Sequence, residues 1–328
     1  MPTLTLQETE RLVAGVLMRC RTSQANAACV ARALVAAEAD GLKGHGLSRV
    51  AGYAAQARAG KVDGFATPGI EQPRPGTAMI DARNGFAYPA LDAAVALLPA
   101  LARRNGIAAA AIRRSHHCGA AGHPVERLAE QGLLAMMFAN TPAAMAPWGG
   151  AKAVFGTNPI AFACPLPGRA PVVVDLALSK IARGNIMAAK QKGERIAAGW
   201  ALDADGKSTT DPDAALAGTM VPLGDAKGTA LALMVELLAA GLTGANYAAE
   251  ASSFLDAEGS PPGTGQLMIA LDPSAFGGSA ERFGVLVASI EAQPGARVPG
   301  SRRLAARAKA ANQGLIVSQA LIRDIEAL

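Results

Sequence analysis

Aromatic side chains are scarce in this chain: 2 Trp, 3 Tyr and 8 Phe make up 4% of 328 residues. A nucleic-acid surface of interleaved basic and stacking residues is therefore absent, and the net charge of +5 is a mild excess at this length. Cysteine is equally sparse, and Cys20, Cys29, Cys118 and Cys164 show no C-x-x-C spacing. That spacing, among apolar neighbours, suits reduced thiols in a cytoplasm better than a disulfide framework. No uninterrupted apolar run approaches the roughly 18 residues of a membrane span, and residues 1–5 carry no signal pattern. Also missing is a G-x-G-x-x-G between a strand and a helix, so an ordinary Rossmann site has no support. Gly206-Lys207-Ser208 lacks the earlier glycine of a phosphate loop, and Asp203-Ala204-Asp205-Gly206 lacks the closing glutamate of a calcium loop; both read as a surface turn.

What remains is 51% hydrophobic with 36 Gly and 20 Pro, enough for roughly two domains with sizeable cores. Thr5 and Glu8 have capping-box spacing, and Ser23 caps a second Ala-rich helix that Asp40-Gly41 ends. A glycine-dense loop over 41–49 leads into a helix over 50–59. Gly- and Pro-punctuated residues 60–76, a strand near 78–80 and a helix over 89–104 follow. Short apolar runs at 107–112 and 133–138 flank a helical stretch, 124–131, and read as strand, helix, strand. Further strands are expected at 160–164, 171–174 and 266–271. Helices are expected at 178–190, 227–242, 279–292, 303–312 and 318–326, with a polar turn-rich excursion over 200–212. No linker separates independent domains.

The chain has 4 His, and His116, His117 and His123 fall within eight residues. Their spacing matches no zinc motif. His116-His117-Cys118-Gly119 follows directly on the strand at 107–112, where α/β sites gather, so His117 reads as a general acid or a hydrogen-bonded structural histidine. His45 stands between Gly44 and Gly46 with little shielding, and Arg49 lies four residues on. A helix starting just after the glycines would aim its guanidinium at a carboxylate beside His45; the alternative is a plain turn with a surface arginine. Asp175, at the end of Val172-Val173-Val174, either binds a cofactor ribose or caps a helix. The turn-rich but weakly charged residues 140–160 line a site, with Thr157 and Asn158 as their hydrogen-bonding groups.

Taken together, these segments resemble the malate/L-lactate dehydrogenase family of NAD(P)-dependent oxidoreductases, from the first helices to about Arg303. The resemblance rests on Gly44-His45-Gly46 with Arg49, Ser115-His116-His117-Cys118-Gly119, Ala146-Pro147-Trp148-Gly149-Gly150, Phe155-Gly156-Thr157-Asn158-Pro159, Asp175-Leu176-Ala177, Gly199-Trp200-Ala201-Leu202-Asp203, Thr209-Thr210-Asp211-Pro212 and Lys227-Gly228. It implies a non-Rossmann α/β dinucleotide-binding fold with a largely antiparallel sheet and flanking helical domains, normally a homodimer. The division that follows is a helical domain of 1–58 and 297–328, a small α/β segment of 59–115 and an NAD(P)-binding domain of 116–296. By the same resemblance His45 and His117 are acid/base residues, while Arg49 and Thr157 bind substrate. The cofactor falls to His117, Cys118, Gly119, Thr141, Asp175, Leu176, Ala177, Lys227, Gly300, Arg302 and Arg303, with no metal.

Family members reduce cyclic 2-imino acids such as Δ1-pyrroline-2-carboxylate and Δ1-piperideine-2-carboxylate, or interconvert 2-oxo and 2-hydroxy acids. The doubled histidine and the apolar loop 143–148 point first to cyclic imino acids; malate, lactate, ureidoglycolate or sulfolactate is the alternative. Many members carry serine where this chain has Gly44, and imino-acid reductases carry aspartate where it has Asn185. A non-catalytic nucleotide-binding descendant is the remote third reading. Arg302 and Arg303 suit a ribose 2′-phosphate, so NADPH is expected, with NADH as the alternative.

Overall fold

The computed structural model describes residues 2–328. Strand β1 (Thr3–Leu4) precedes helices α1 (Leu6–Arg19) and α2 (Gln24–Ala39). The capping box at the head of α1 is complete: Thr5 Oγ1 accepts from the Glu8 N–H, and the Glu8 carboxylate accepts from the Thr5 N–H at 2.8 Å. Ser23 caps α2, its hydroxyl accepting from the Asn26 N–H. Two 3-10 turns, Lys43–His45 and Leu47–Arg49, run into α3 (Val50–Ala59). The chain's end returns here, because β12 (Leu315–Ile316) pairs with β1 and α11 (Gln319–Glu326) packs Ile322 and Ile325 against Val13, Val16, Leu17 and Leu34.

The centre is a mixed seven-stranded sheet in the order β2-β3-β4-β11-β5-β6-β7. Its strands are β2 (Gly69–Arg74), β3 (Thr77–Asp81), β4 (Ile107–Ser115), β5 (Leu134–Ala139), β6 (Ile160–Leu166), β7 (Arg169–Leu176) and β11 (Thr264–Leu271). Only β3 and β4 pair parallel; the other five pairings are antiparallel. β4 and β5 are thus parallel to each other with β11 inserted between them, which lets helix α5 (Gly122–Ala129) make the crossover. Helices α4 (Ala87–Asn105) and α5 cover one face with an alanine-rich core that includes Ala90, Leu98, Ile112, Val125 and Leu128. Small side chains on both sides bring helix and sheet close, and Gly122 sits directly beside β7. The other face packs Phe138, Phe155 and Leu267 against α8 (Ala226–Glu236) and the π turn Leu237–Gly241 that continues it.

Several expected boundaries move. The helix expected over 178–190 is α6 (Arg183–Lys192), because residues 178–180 are held extended: the Leu178 N–H bonds Thr157 O and the Lys180 N–H bonds Val221 O. The excursion over 200–212 forms a small antiparallel sheet of β8 (Ala201–Leu202), β9 (Ser208–Thr209) and β10 (Thr219–Met220), with α7 (Pro212–Ala217) beside it. Edge strand β2, read as irregular, accommodates Pro73 because an edge position needs no donor there. Helices α9 (Ala280–Glu291) and α10 (Ser301–Gln313) complete the chain. No helix among the described residues is long and apolar enough to cross a membrane.

Candidate active site

The two glycines flanking His45 have different reasons. A Cβ at Gly46 would lie 2.3 Å from Glu38 Oε2, the atom that accepts the Leu47 N–H at 3.0 Å, whereas a Cβ at Gly44 would meet nothing within 4 Å. Gly46 lets the turn seat on α2; Gly44 leaves open space beside His45. Arg49 Nε donates to Gly44 O at 2.7 Å, so histidine and guanidinium are held by one turn. The end of β4 delivers the second histidine: His117 stacks on His45 with centroids 5.3 Å apart and planes 15° apart. Behind it, His117 Nδ1 lies 2.6 Å from Tyr53 Oη, which lies 3.1 Å from Tyr88 Oη. That engages Nδ1 and leaves Nε2 as the ring nitrogen available to a substrate.

Burial governs the charges. It pushes His45 down to about 4, helped by the Arg49 cation, and holds His117 well below its ordinary value, with Arg49, His45 and His116 adding to the effect. Burial thus favours the neutral form of both rings. His116 has both ring nitrogens buried without a partner between Tyr53, Phe86 and Phe254, and burial pushes it down to about 3. It is a packing element. Cys118 is wholly buried, and burial pushes its thiol up to about 12, so it contributes backbone rather than sulfur chemistry.

Beyond His117 the chain turns through Gly119, at φ +69°, where a Cβ would lie 2.6 Å from Tyr88 Oη. The turn opens α5, whose first N–H, at Gly122, donates to Asp175 Oδ2 at 2.7 Å. Asp175 therefore sits at a helix N-terminus. Gly300, left-handed at the head of α10, approaches Val173 O on the same strand. Three of the segments expected to hold a cofactor thus converge: 117–119, 175–177 and 300–303. Lys227 stands exposed in the first turn of α8, whose approach is tied to this edge by the Leu223 N–H bonding Leu178 O.

Thr157 and Thr141 also meet: the Thr157 N–H donates to Thr141 Oγ1 at 2.9 Å, and the hydroxyls lie 3.4 Å apart. The two arginines of the basic turn part company. Arg302 is exposed, whereas Arg303 turns inward, bonding both Glu126 oxygens at 2.7 Å and Asp40 at 3.0 Å in a cluster with Arg307 and His123.

Sequence reasoning missed Tyr53, Tyr88, Glu236 and Phe254. Phe254 lies 5.3 Å from the His117 ring, and its backbone carbonyl accepts from Gln56 Nε2 at 3.0 Å. These residues come from distant segments and carry no spacing signal.

Residues 4–326 match the malate/L-lactate dehydrogenase family. The chain belongs to it. It is 50% identical to a (2R)-3-sulfolactate dehydrogenase (NADP(+)) of Chromohalobacter salexigens, over 99% of this chain and 97% of that protein. A Δ1-pyrroline-2-carboxylate/Δ1-piperideine-2-carboxylate reductase of Pseudomonas aeruginosa is 42% identical, over 99% and 98%. Among solved structures, the Δ1-piperideine-2-carboxylate reductase of Pseudomonas syringae superposes with a TM-score of 0.94 at 39% identity, covering 100% of this chain and 99% of that one. As a member of this family, the protein is an oxidoreductase.

Proposed function

We propose that the protein is an NADPH-dependent oxidoreductase that acts at C2 of a small 2-oxo or 2-imino acid. The observation that carries this reading is the stack of His117 on His45, which shares a turn with Arg49, beside the segments 117–122, 175–177 and 300. These segments suit a dinucleotide that binds without a Rossmann fingerprint. A Cβ at Gly119 or Gly122 would press on Tyr88 or Asp175, so the chain runs close-packed here, with Asp175 at the α5 N-terminus. His117, Cys118 and Gly119 would hold one side of the cofactor, Asp175, Leu176 and Ala177 another, with Thr141 and Lys227 flanking and Gly300 and Arg302 at the phosphate end. When bound, the reduced nicotinamide supplies the hydride.

The chain's own residues do the rest. Arg49 neutralises the substrate carboxylate, and the Thr157 hydroxyl orients the substrate. His117 gives its Nε2 proton to the oxygen or nitrogen on which charge develops, and the stacked His45 shares that acid/base role and excludes water. A neutral imidazole N–H is the donor form that such burial allows.

Of the two substrate branches, we place the hydroxy-acid branch first, with 3-sulfolactate and its oxo acid as the leading candidates. The support is the 50% identical relative together with Gly44 and Asn185, where the family resemblance implies serine in many members and aspartate in the imino-acid reductases. Nothing in the fold forbids a serine at 44, and His45 Nδ1 has no hydrogen-bond partner. The second reading, cyclic imino acids, is favoured by the apolar loop 143–148 and by the 42% identical reductase. The protein would act as a homodimer, because Leu233, Met234, Leu237 and Leu242 lie exposed along α8 and the turn after it.

The test is NADPH oxidation with sulfopyruvate, oxaloacetate, pyruvate, Δ1-pyrroline-2-carboxylate and Δ1-piperideine-2-carboxylate. Turnover of sulfopyruvate is expected. Turnover of the cyclic imines alone moves the protein to the second branch, and NADPH binding without turnover of any of them overturns the reading.

A further inference from the structure

Tyr53 and Tyr88 have no part in the mechanism so far, yet they join His117 to a second space. Tyr88 borders a cavity of about 440 Å³ between α2, α4 and α5, lined also by Cys29, Asp92, His123 and Arg127 and, where it adjoins the segment after His117, by Cys118 and Ala120. His45, Arg49 and His117 do not line it. From Tyr88, a residue of the cavity wall, hydrogen bonds run from its Oη to Tyr53 Oη at 3.1 Å and on to His117 Nδ1 at 2.6 Å, with Nε2 on the other side of the ring. Each hydroxyl both donates and accepts, so a chain of two can carry one proton in either direction.

We propose that Tyr53 and Tyr88 form a two-hydroxyl relay that fixes His117 as its Nε2–H tautomer and supplies Nδ1 with a proton as Nε2 gives up its own. This rests on the reading of His117 as the proton donor. The need for it follows from burial. A neutral imidazole that lost its only proton would become an imidazolate, while prior protonation would place a cation among Arg49, His45 and His116 in a dry site. Simultaneous gain at Nδ1 and loss at Nε2 avoids both.

The Nε2–H bond breaks as the substrate O–H or N–H forms; the Tyr53 O–H breaks as Nδ1–H forms; the Tyr88 O–H breaks as that of Tyr53 is restored; and water in the cavity reprotonates Tyr88. On product release Nε2 takes a proton from water at the mouth, and Nδ1 returns its own through Tyr53 and Tyr88 to the cavity. The ring stays neutral throughout. The rings of Tyr53 and Tyr88 are themselves held by packing, Tyr53 against Phe86 and His116 and Tyr88 against the Gly119 turn, so losing a hydroxyl leaves the aromatic packing in place.

The experiment compares Tyr53→Phe, Tyr88→Phe and His117→Ala with the wild type. Steady-state kinetics, the solvent deuterium isotope effect on kcat and 15N NMR of histidine-labelled protein supply the readouts. The expected result is an Nε2–H tautomer for wild-type His117, and a Tyr53→Phe variant that loses this tautomer bias. Its kcat falls about 10- to 100-fold at unchanged substrate KM, and its solvent isotope effect is larger. Tyr88→Phe keeps the tautomer, lowers kcat and raises the isotope effect. It also decides the matter should Tyr53→Phe fold poorly, since a wild-type kcat and isotope effect in Tyr88→Phe overturn the relay. Normal turnover of Tyr53→Phe, where His117→Ala is inactive, overturns the relay and leaves the donor assignment standing. Normal turnover of His117→Ala overturns the donor assignment itself.

Discussion

Asn158 holds its backbone in the left-handed region at φ +41° and donates its side-chain N–H to Glu236 Oε2 at 2.7 Å. The same buried carboxylate accepts from Asn140 Nδ2 at 3.0 Å and from the Ala248 N–H at 2.5 Å. One side chain on α8 thus knits the loop after β5, the loop before β6 and the approach to β11 around Thr157. Glu236→Ala leaves three buried donors unsatisfied, each worth about 1–3 kcal/mol. Urea unfolding is expected to show a loss of about 3 kcal/mol or more, with a raised substrate KM in whatever folds. Glu236→Gln, which retains one acceptor oxygen, is expected to lose less.

The cluster of Asp40, Glu126, Arg303 and Arg307 ties the fold to ionised carboxylates. The Asp40 side chain is fully buried, and burial alone would raise its carboxyl. The bonds from Arg307, His123 and Arg303 outweigh that and hold it well below the usual carboxylate range. Glu126 is lowered by the same two arginines against the same opposing burial. Because the folded values lie below the unfolded ones, their stabilisation is complete above the ordinary carboxylate range, about pH 4, and drains away as pH falls below it. Melting temperature is expected to drop steeply below that pH. Arg307→Ala, which strips a partner from both acids, is expected to cost about 3 kcal/mol at neutral pH and to flatten the acid limb.

How much of this was legible beforehand depends on how local each signal is. Thr5 with Glu8, Ser23 and Gly41 act within a few residues, and they marked the first two helices correctly. The sheet order was not legible, because β11 inserts between β4 and β5 from a segment well over a hundred residues downstream. The same holds in the site. Gly44-His45-Gly46, Arg49 and His116-His117 stand in short motifs, whereas Tyr53, Tyr88 and Glu236 are ordinary helix residues in the sequence and acquire their partners only on folding. Residues 178–182 mislead for a related reason. Their pattern is helical, but Thr157 O and Val221 O capture their N–H groups first.

The histidines give two expectations with opposite visibility. Since burial favours the neutral form of His45 and His117, kcat is expected to show no histidine break near pH 6.5, while His117→Ala loses about 100-fold or more in rate and still folds. Stability does carry their signature. With folded values below the unfolded one, the unfolded chain binds more protons as pH falls from about 6.5 towards 4, so stability is complete above that window and declines through it. His116→Leu removes a buried ring with two unpartnered nitrogens. Unfolding measured at pH 7 and pH 5 is expected to show a smaller difference in this variant than in the wild type; an equal difference assigns the decline to other groups.

In the proposed reading, cofactor selection falls to whichever arginine of the basic turn is free. Arg303 is committed to Glu126 and Asp40, so removing it damages the fold before it touches a ligand. Arg302, exposed in the first turn of α10 beside the left-handed Gly300, has its guanidinium available to a ribose 2′-phosphate, which it matches in charge and planar geometry. A charge-assisted hydrogen bond of this kind contributes about 1.5–3 kcal/mol, or roughly 10- to 100-fold in affinity. Arg302→Ala is therefore expected to weaken NADPH binding by about that factor, leaving NADH binding and the melting temperature unchanged. Fluorescence titration of both reduced cofactors measures it directly. Equal weakening of NADPH and NADH would show that Arg302 touches a part common to both cofactors, and the preference for NADPH would then need another origin.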